Sequence, residues 1–155
     1  MQIKGKRSQS ILTSETHCTD SWAMNRKTVL LLLAGIVGFL GVLLGAAGKH
    51  ALKEKTGTEL YRNFETGLKY HQVHGVALLA VALGSLVIPG EGRSRRLRVS
   101  GWLLLSGIFV FSGSLYILAF TGATGLGRVT PVGGILLMLG WLSLCWVAAS
   151  RDQTS

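Results

Sequence analysis

Residues 100–120 read SGWLLLSGIFVFSGSLYILAF, and residues 131–149 read PVGGILLMLGWLSLCWVAA. Between Val99 and Ser150 the chain carries a single formal charge, on Arg128. As helices, the two runs would be about 31 and 28 Å long, close to the roughly 30 Å hydrocarbon core of a bilayer. Neither run alternates like a strand, and only helices or closed barrels satisfy every backbone group in lipid. Both runs are therefore predicted to be transmembrane helices.

Two further apolar runs precede them, at Thr28–Gly48 and Gln72–Ile88. The composition is 48% hydrophobic and 15% charged, whereas typical soluble domains are about 25% charged. Four such runs leave too little polar chain to cover a soluble core. The sequence predicts an all-α membrane protein with four transmembrane helices in an antiparallel bundle. This domain would cover residues 24–150, with helices at about 28–48, 70–88, 100–120 and 131–149.

The two ends of the chain differ from this domain. Residues 1–23 are polar and lack periodicity, which predicts a disordered tail, and residues 151–155 form a short C-terminal tail. The first run has a second interpretation as a cleaved signal peptide with Arg26 and Lys27 as its basic region. Its apolar core is long for that, since signal peptides use about 7–15 residues.

The connection between the first two runs has its own pattern. Thr56 and Glu59 have the spacing of a capping box, and Leu60, Phe64 and Leu68 recur every four residues. The pattern predicts a short amphipathic interfacial helix on the non-cytoplasmic surface, with an irregular loop as the alternative. At the fourth run, Thr130 is expected as the N-cap before Pro131.

The basic residues indicate orientation rather than a nucleic-acid partner. The formal charge is +9, but these residues flank the apolar runs, as in membrane proteins. The N-terminal segment, the connection between runs two and three and the C-terminus together hold ten Lys and Arg, against six on the opposite side. This bias predicts that both termini are cytoplasmic. Trp102 and Trp146 would lie at that interface, and Tyr70 and Tyr116 near the other.

Small residues recur within the predicted helices. In lipid, such residues let helix backbones approach closely. We interpret them as packing positions within one bundle, while a dimer face or a pore lining remains open. They are Gly38, Gly41, Gly45 and Gly48 on the first helix, Ser112, Gly113 and Ser114 on the third, and Gly133, Gly134 and Gly140 on the fourth.

Four segments carry a family resemblance: GAAGKHALK (45–53), YHQVHGVALL (70–79), FSGSLYILAFTG (111–122) and TPVGG (130–134), followed by Gly140-Trp141. From about Val29 to Ala149 the chain resembles the domain of unknown function 423 (DUF423) family. Its members are small bacterial inner-membrane proteins of the YgdD type, and the eukaryotic transmembrane protein 256 is similar. The resemblance implies four transmembrane helices and a bacterial plasma (inner) membrane location, and it brings no activity. Lys49 stands where the family usually has a small residue.

Polar residues gather near the non-cytoplasmic end of the predicted bundle. His71 and His74 are three residues apart, and with His50 or Glu65 they could form a three-ligand metal site. A structural role is the expectation, with no metal and no cofactor; for His74 the expected partner is Thr130, Ser114 or a backbone carbonyl. The full cluster is Lys49, His50, Glu65, Lys69, Tyr70, His71, His74, Arg128 and Thr130.

These patterns favour a non-catalytic membrane component over an enzyme. The sequence offers no nucleophile–base pair or paired carboxylates at a plausible depth. The expected partners are the lipid bilayer and either a second copy or another membrane protein, with no nucleic acid. The alternative is a small oligomeric transporter, or a proton or solute pathway through His50, His71 and His74, although the spans lack interior Asp, Glu, Lys and Arg.

Overall fold

The computed structural model describes residues 26–48 and 57–150. Helix α1 spans Arg26–Leu43 and continues as a π-helical turn over Leu44–Gly48; α2 spans Thr58–Val87, α3 spans Glu91–Thr121 and α4 spans Thr130–Ala149. A 3₁₀ turn, Thr124–Arg128, lies between α3 and α4. Each of the four helices is long and apolar enough to cross a membrane. The predicted all-α class with four spanning helices is confirmed.

Two glycines make the sharp connections. Gly90, between α2 and α3, has φ 93°, and Gly122, at the end of α3, has φ 70°. Left-handed backbone of this kind favours glycine, which has no Cβ to clash. The N–H of Gly122 donates to the carbonyl of Leu118 at 2.8 Å and closes the last turn of α3. These turns let successive helices run antiparallel.

Helix α3 is the central helix of the bundle. In the most apolar 18-residue segment of α3, half of the residues are buried, compared with 22% in the corresponding segments of α1 and α4. The main core contains fully or nearly fully buried leucines from every helix: Leu30, Leu78, Leu104 and Leu137. The remaining apolar surface of α1 and α4 faces outward, as lipid-facing helices require.

The segment predicted as a separate interfacial helix is instead the first part of α2. That helix runs without a break from Thr58 to Val87. Phe64 is fully buried and Leu68 nearly so, because the Phe64 ring packs against Tyr116 and Phe120 of α3. The apolar face therefore packs on protein and not on the membrane surface. Thr56 of the expected capping box lies outside the described residues, and Gly57 is the N-cap.

Two other boundaries also differ from the prediction. Helix α3 begins at Glu91, nine residues before the predicted start at Ser100. Thr130 is the first residue of α4 and not its N-cap; the N-cap is Val129, without a side-chain cap. At 30 and 31 residues, α2 and α3 are each about 45 Å long, longer than the hydrocarbon core. Each helix projects at its own N-terminus, and thus at opposite ends of the bundle.

The predicted tails, residues 1–23 and 151–155, lie outside the described residues.

Candidate functional site

The contact between α1 and α2 centres on a buried histidine. Nε2 of His71 lies 2.8 Å from the backbone carbonyl oxygen of Val37. Because a carbonyl only accepts, Nε2 donates, so this nitrogen carries a hydrogen. Gly41 makes room for the ring: a Cβ at that position would lie 3.3 Å from Cδ2 of His71. The glycine thus allows a side chain of α2 to reach the backbone of α1.

Gln72 repeats this interaction one turn along α1. Its Nε2 donates to the carbonyl of Gly41 at 3.4 Å, and its side chain lies beside Gly45. The carbonyls of Val37 and Gly41 are four residues apart, so two adjacent α2 side chains bond to successive turns of α1. An open groove follows this contact between the two helices.

Tyr116 of α3 lies over the other side of His71. The two ring centroids are 6.0 Å apart, and a Cβ on Gly67 would lie 3.2 Å from the Tyr116 ring. The Tyr116 hydroxyl and the Ser112 hydroxyl, one turn away, are both buried without a hydrogen-bond partner among the described residues. Ser112 therefore does not bond back to a carbonyl of its own helix, as serines within helices often do.

His74 faces a different set of neighbours. Its Nδ1 donates to the carbonyl of Tyr70 at 2.8 Å, one of the partners expected from the sequence. The Tyr70 ring stacks on the imidazole with centroids 5.6 Å apart and contacts Phe111 of α3 at 4.6 Å. Trp141 of α4 meets the imidazole edge-on at 6.2 Å. His74 therefore belongs to an aromatic contact between α2, α3 and α4.

Paired hydroxyls join α3 to α4 at two levels. Ser114 Oγ and Thr130 Oγ1 are 2.8 Å apart, and Ser114 also donates to the carbonyl of Phe111. Near the other end, Ser143 Oγ donates to Ser100 Oγ at 2.7 Å. Interhelical hydrogen bonds of this kind stabilise bundles in lipid, where no water competes.

Glycines bring the same two helices close together. A Cβ on Gly133 would lie 2.6 Å from Cα of Phe111, and one on Gly140 would lie 2.7 Å from the Leu104 side chain. On α1, Gly48 lies against Phe64. Gly134 has only ordinary contacts, whereas Gly38 and Gly113 have open space within one copy of the chain. A Cβ at either of these last two glycines would meet no atom within 4 Å, so the structure shows no close helix approach there within one copy.

The predicted polar cluster is divided among several places. His71 contacts α1, while His74 contacts α4, so the two histidines do not converge. Glu65 and Lys69 are exposed on α2 beside a shallow pocket, and Arg128 is exposed before α4. Lys49 and His50 lie outside the described residues. Within residues 26–48 and 57–150, the structure places no three His, Cys, Asp or Glu side chains where they could hold a metal.

Several contact residues were missed by sequence reasoning. Gly101 packs on Leu30, Gly107 on Leu137 and Gly75 on Val37. Gly101 and Gly107 are both buried on α3, but they are six residues apart and so lack the three- and four-residue spacing of the glycines on α1. Gln72 lies inside the segment YHQVH and could have been chosen as a second interhelical donor.

A known protein family matches the part of the chain that makes most of these contacts. The sequence profile of a family described as "Protein of unknown function (DUF423)" matches residues 44–134. The chain belongs to the DUF423 family. The matched region includes both buried histidines, Tyr116 and the Ser114–Thr130 pair.

Proteins similar to this chain are named as membrane proteins, and three of them illustrate how far the similarity of the chain extends. It is 40% identical over 120 residues to a UPF0382 membrane protein of Haemophilus influenzae, covering 77% of this chain and 93% of the relative. It is 37% identical over 116 residues to the UPF0382 membrane protein YwdK of Bacillus subtilis, covering 75% and 92%. It is 36% identical over 128 residues to the UPF0382 inner membrane protein YgdD of Escherichia coli, covering 79% and 89%. No solved structure matches the chain. Together with the four spans, these matches identify a multi-pass membrane protein.

Proposed function

We propose that the chain is a non-catalytic membrane component that packs against a transmembrane helix of a partner, either a second copy or another membrane protein. One observation carries the proposal: His71 and His74 each donate a ring N–H to a backbone carbonyl. Ionisable groups in a transport pathway face a cavity or a relay. Here the His71 N–H bonds α2 to α1, and the His74 ring, fixed by its bond to Tyr70, packs against Trp141 of α4, which supports a packing role.

The outer face of α1 is the surface proposed for the partner. Gly35 and Gly38 have open space above them, and Phe39 beside them is 67% exposed. An open apolar groove passes along this face, lined by Leu32, Gly35 and Phe39 among others. Small residues next to a large one allow close approach of another helix.

The proposed orientation places both termini in the cytoplasm of a bacterial inner membrane. The end where α1 begins carries Arg26, Lys27 and four arginines of residues 93–98, with Glu91 as the one acidic residue among those described there. The opposite end has three basic and two acidic residues in the described chain. Excess Lys and Arg mark the cytoplasmic side.

Reconstitution separates a structural role of the histidines from a proton pathway. The purified chain in liposomes should give no proton flux above that of empty vesicles. His74→Ala should unfold more readily in detergent, because it removes the stacked ring and its hydrogen bond; Val73→Ala, an exposed neighbour, should not. Flux through the parent that His74→Ala abolishes without loss of stability would establish a pathway and overturn the proposal.

Crosslinking in native membranes tests the partner surface. A photo-crosslinking amino acid in place of Phe39 should give one discrete protein adduct, whose mass shows whether the partner is a second copy. The matched control is Leu142 on the outer face of α4, 64% exposed. The same adducts from both positions, or lipid adducts alone, would contradict a partner on α1.

Cysteine labelling tests the orientation. With Cys18 and Cys145 replaced by serine, Gly125→Cys should react with a membrane-impermeant maleimide added to intact cells, and Gly92→Cys only after lysis. The reverse pattern would invert the proposed topology.

A further inference from the structure

The end of the bundle where α1 and α3 begin carries an arginine patch, made of Arg93, Arg95, Arg96 and Arg98. Because α3 starts at Glu91, these four residues occupy its first turns, outside the apolar span that begins at Ser100. The patch therefore projects from the membrane on a helix and not on a loop.

Contacts with neighbouring groups hold three of the four arginines in place. Arg98 donates to Ser94 Oγ at 2.9 Å and to Glu91 Oε1 at 3.0 Å. Arg93 donates to the carbonyl of Ser150 at the end of α4, at 3.4 Å. Arg95 is exposed and forms no hydrogen bond or ion pair with any residue in 26–48 or 57–150. Arg93 and Arg98 are thus held by contacts within the protein, whereas the exposed Arg95 guanidinium can pair with an external group.

Two tryptophans place the patch at the depth of lipid headgroups. Trp102 on α3 and Trp146 on α4 are 48% and 59% exposed at this end of the bundle. Exposed tryptophan is typical of the membrane–water interface. The guanidinium carbon of Arg96 lies 5.8 Å from the centre of the Trp146 ring, which fixes a cation beside that interface.

We propose that the arginine patch binds the phosphate group of anionic phospholipids such as phosphatidylglycerol and cardiolipin. Guanidinium groups pair bidentately with phosphate, and basic clusters next to a spanning helix attract anionic headgroups. The positive end of the α3 dipole adds to this attraction. The proposal rests on the membrane location of the family and not on the proposed partner.

The test uses the full chain and compares two double variants. Each removes two positive charges, one variant at each end of the bundle. Fluorescent phosphatidylglycerol and phosphatidylcholine are titrated into the purified protein in dodecylmaltoside. The parent should prefer phosphatidylglycerol at least about tenfold, and higher salt should weaken that preference. Arg95→Gln/Arg96→Gln should weaken phosphatidylglycerol binding about 20- to 30-fold, since each basic residue contributes about fivefold. Arg62→Gln/Arg128→Gln, at the opposite end, should change it by less than about twofold.

A single variant distinguishes a loss of lipid binding from a loss of folding. Arg95→Gln alters a side chain without a described partner, so it should keep the fold and still lose about fivefold in affinity. Equal binding of the two lipids, or equal losses in both double variants, would overturn the proposal. Competition by inorganic phosphate or by a single-stranded oligonucleotide at least as effective as that of unlabelled phosphatidylglycerol would overturn a lipid ligand as well.

Discussion

Gly133→Ala should separate α3 from α4, whereas Gly134→Ala, one residue later, should not. At Gly133 the added Cβ would lie 2.6 Å from the Phe111 Cα, and at Gly134 the nearest Phe111 atom would be 3.8 Å away. Both variants gain the same helix propensity, up to about 1 kcal/mol. The difference between them therefore isolates the contact.

The expected size follows from the geometry. Backbone atoms cannot rotate out of the way, so α4 must move by at least about 0.8 Å to bring the Phe111 Cα to the 3.4 Å of an ordinary contact, and further to clear the Phe111 backbone nitrogen, which lies closer still. Overpacking of this kind costs about 1–3 kcal/mol. The same movement stretches the nearby Ser114–Thr130 bond, now 2.8 Å, and interhelical bonds contribute about 0.6 kcal/mol. Gly133→Ala should be about 2–3 kcal/mol less stable than Gly134→Ala.

Reversible unfolding in mixed dodecylmaltoside–SDS micelles, followed by circular dichroism, measures this difference. The midpoint for Gly133→Ala should fall at a clearly lower SDS fraction than that for Gly134→Ala. Coincident midpoints would show that α3 and α4 do not meet as closely at this position as the structure places them, and would refute the reasoning.

Three further predictions use the same unfolding assay. Tyr116→Phe should be neutral or stabilising by up to about 1 kcal/mol, because its buried hydroxyl has no partner among the described residues; a clear loss would mean that the hydroxyl bonds elsewhere. Gly41→Ala should destabilise by crowding His71, while Gly38→Ala, facing open space, should not; equal effects would contradict the α1–α2 contact. Thr130→Val should lose about 0.6 kcal/mol, and Thr130→Ser should retain it; a loss in Thr130→Ser with none in Thr130→Val would assign the effect to the methyl group.

The fold class could be predicted because spanning is a local property. Length and apolarity within each run are enough to indicate a transmembrane helix, and the motif order indicated the family. The interfacial helix was mispredicted for a related reason: amphipathicity shows that Phe64 needs an apolar neighbour, but not whether that neighbour is lipid or Tyr116.

The polar site depended more on tertiary structure. His71 and His74 are three residues apart, so about 60° separates them around the α2 axis. That angle permits a shared site, yet the position of α1 on one side and of α4 on the other gives each histidine its own partner.

By itself, then, the sequence determined four membrane-spanning helices and their family. The tertiary structure alone decided which small residues touch another helix, because spacing defines a helix face without saying what lies against it. A Cβ on Gly133 would collide with the backbone of α3, whereas a Cβ on Gly38 would meet no atom within 4 Å, although both glycines were predicted from the same kind of pattern.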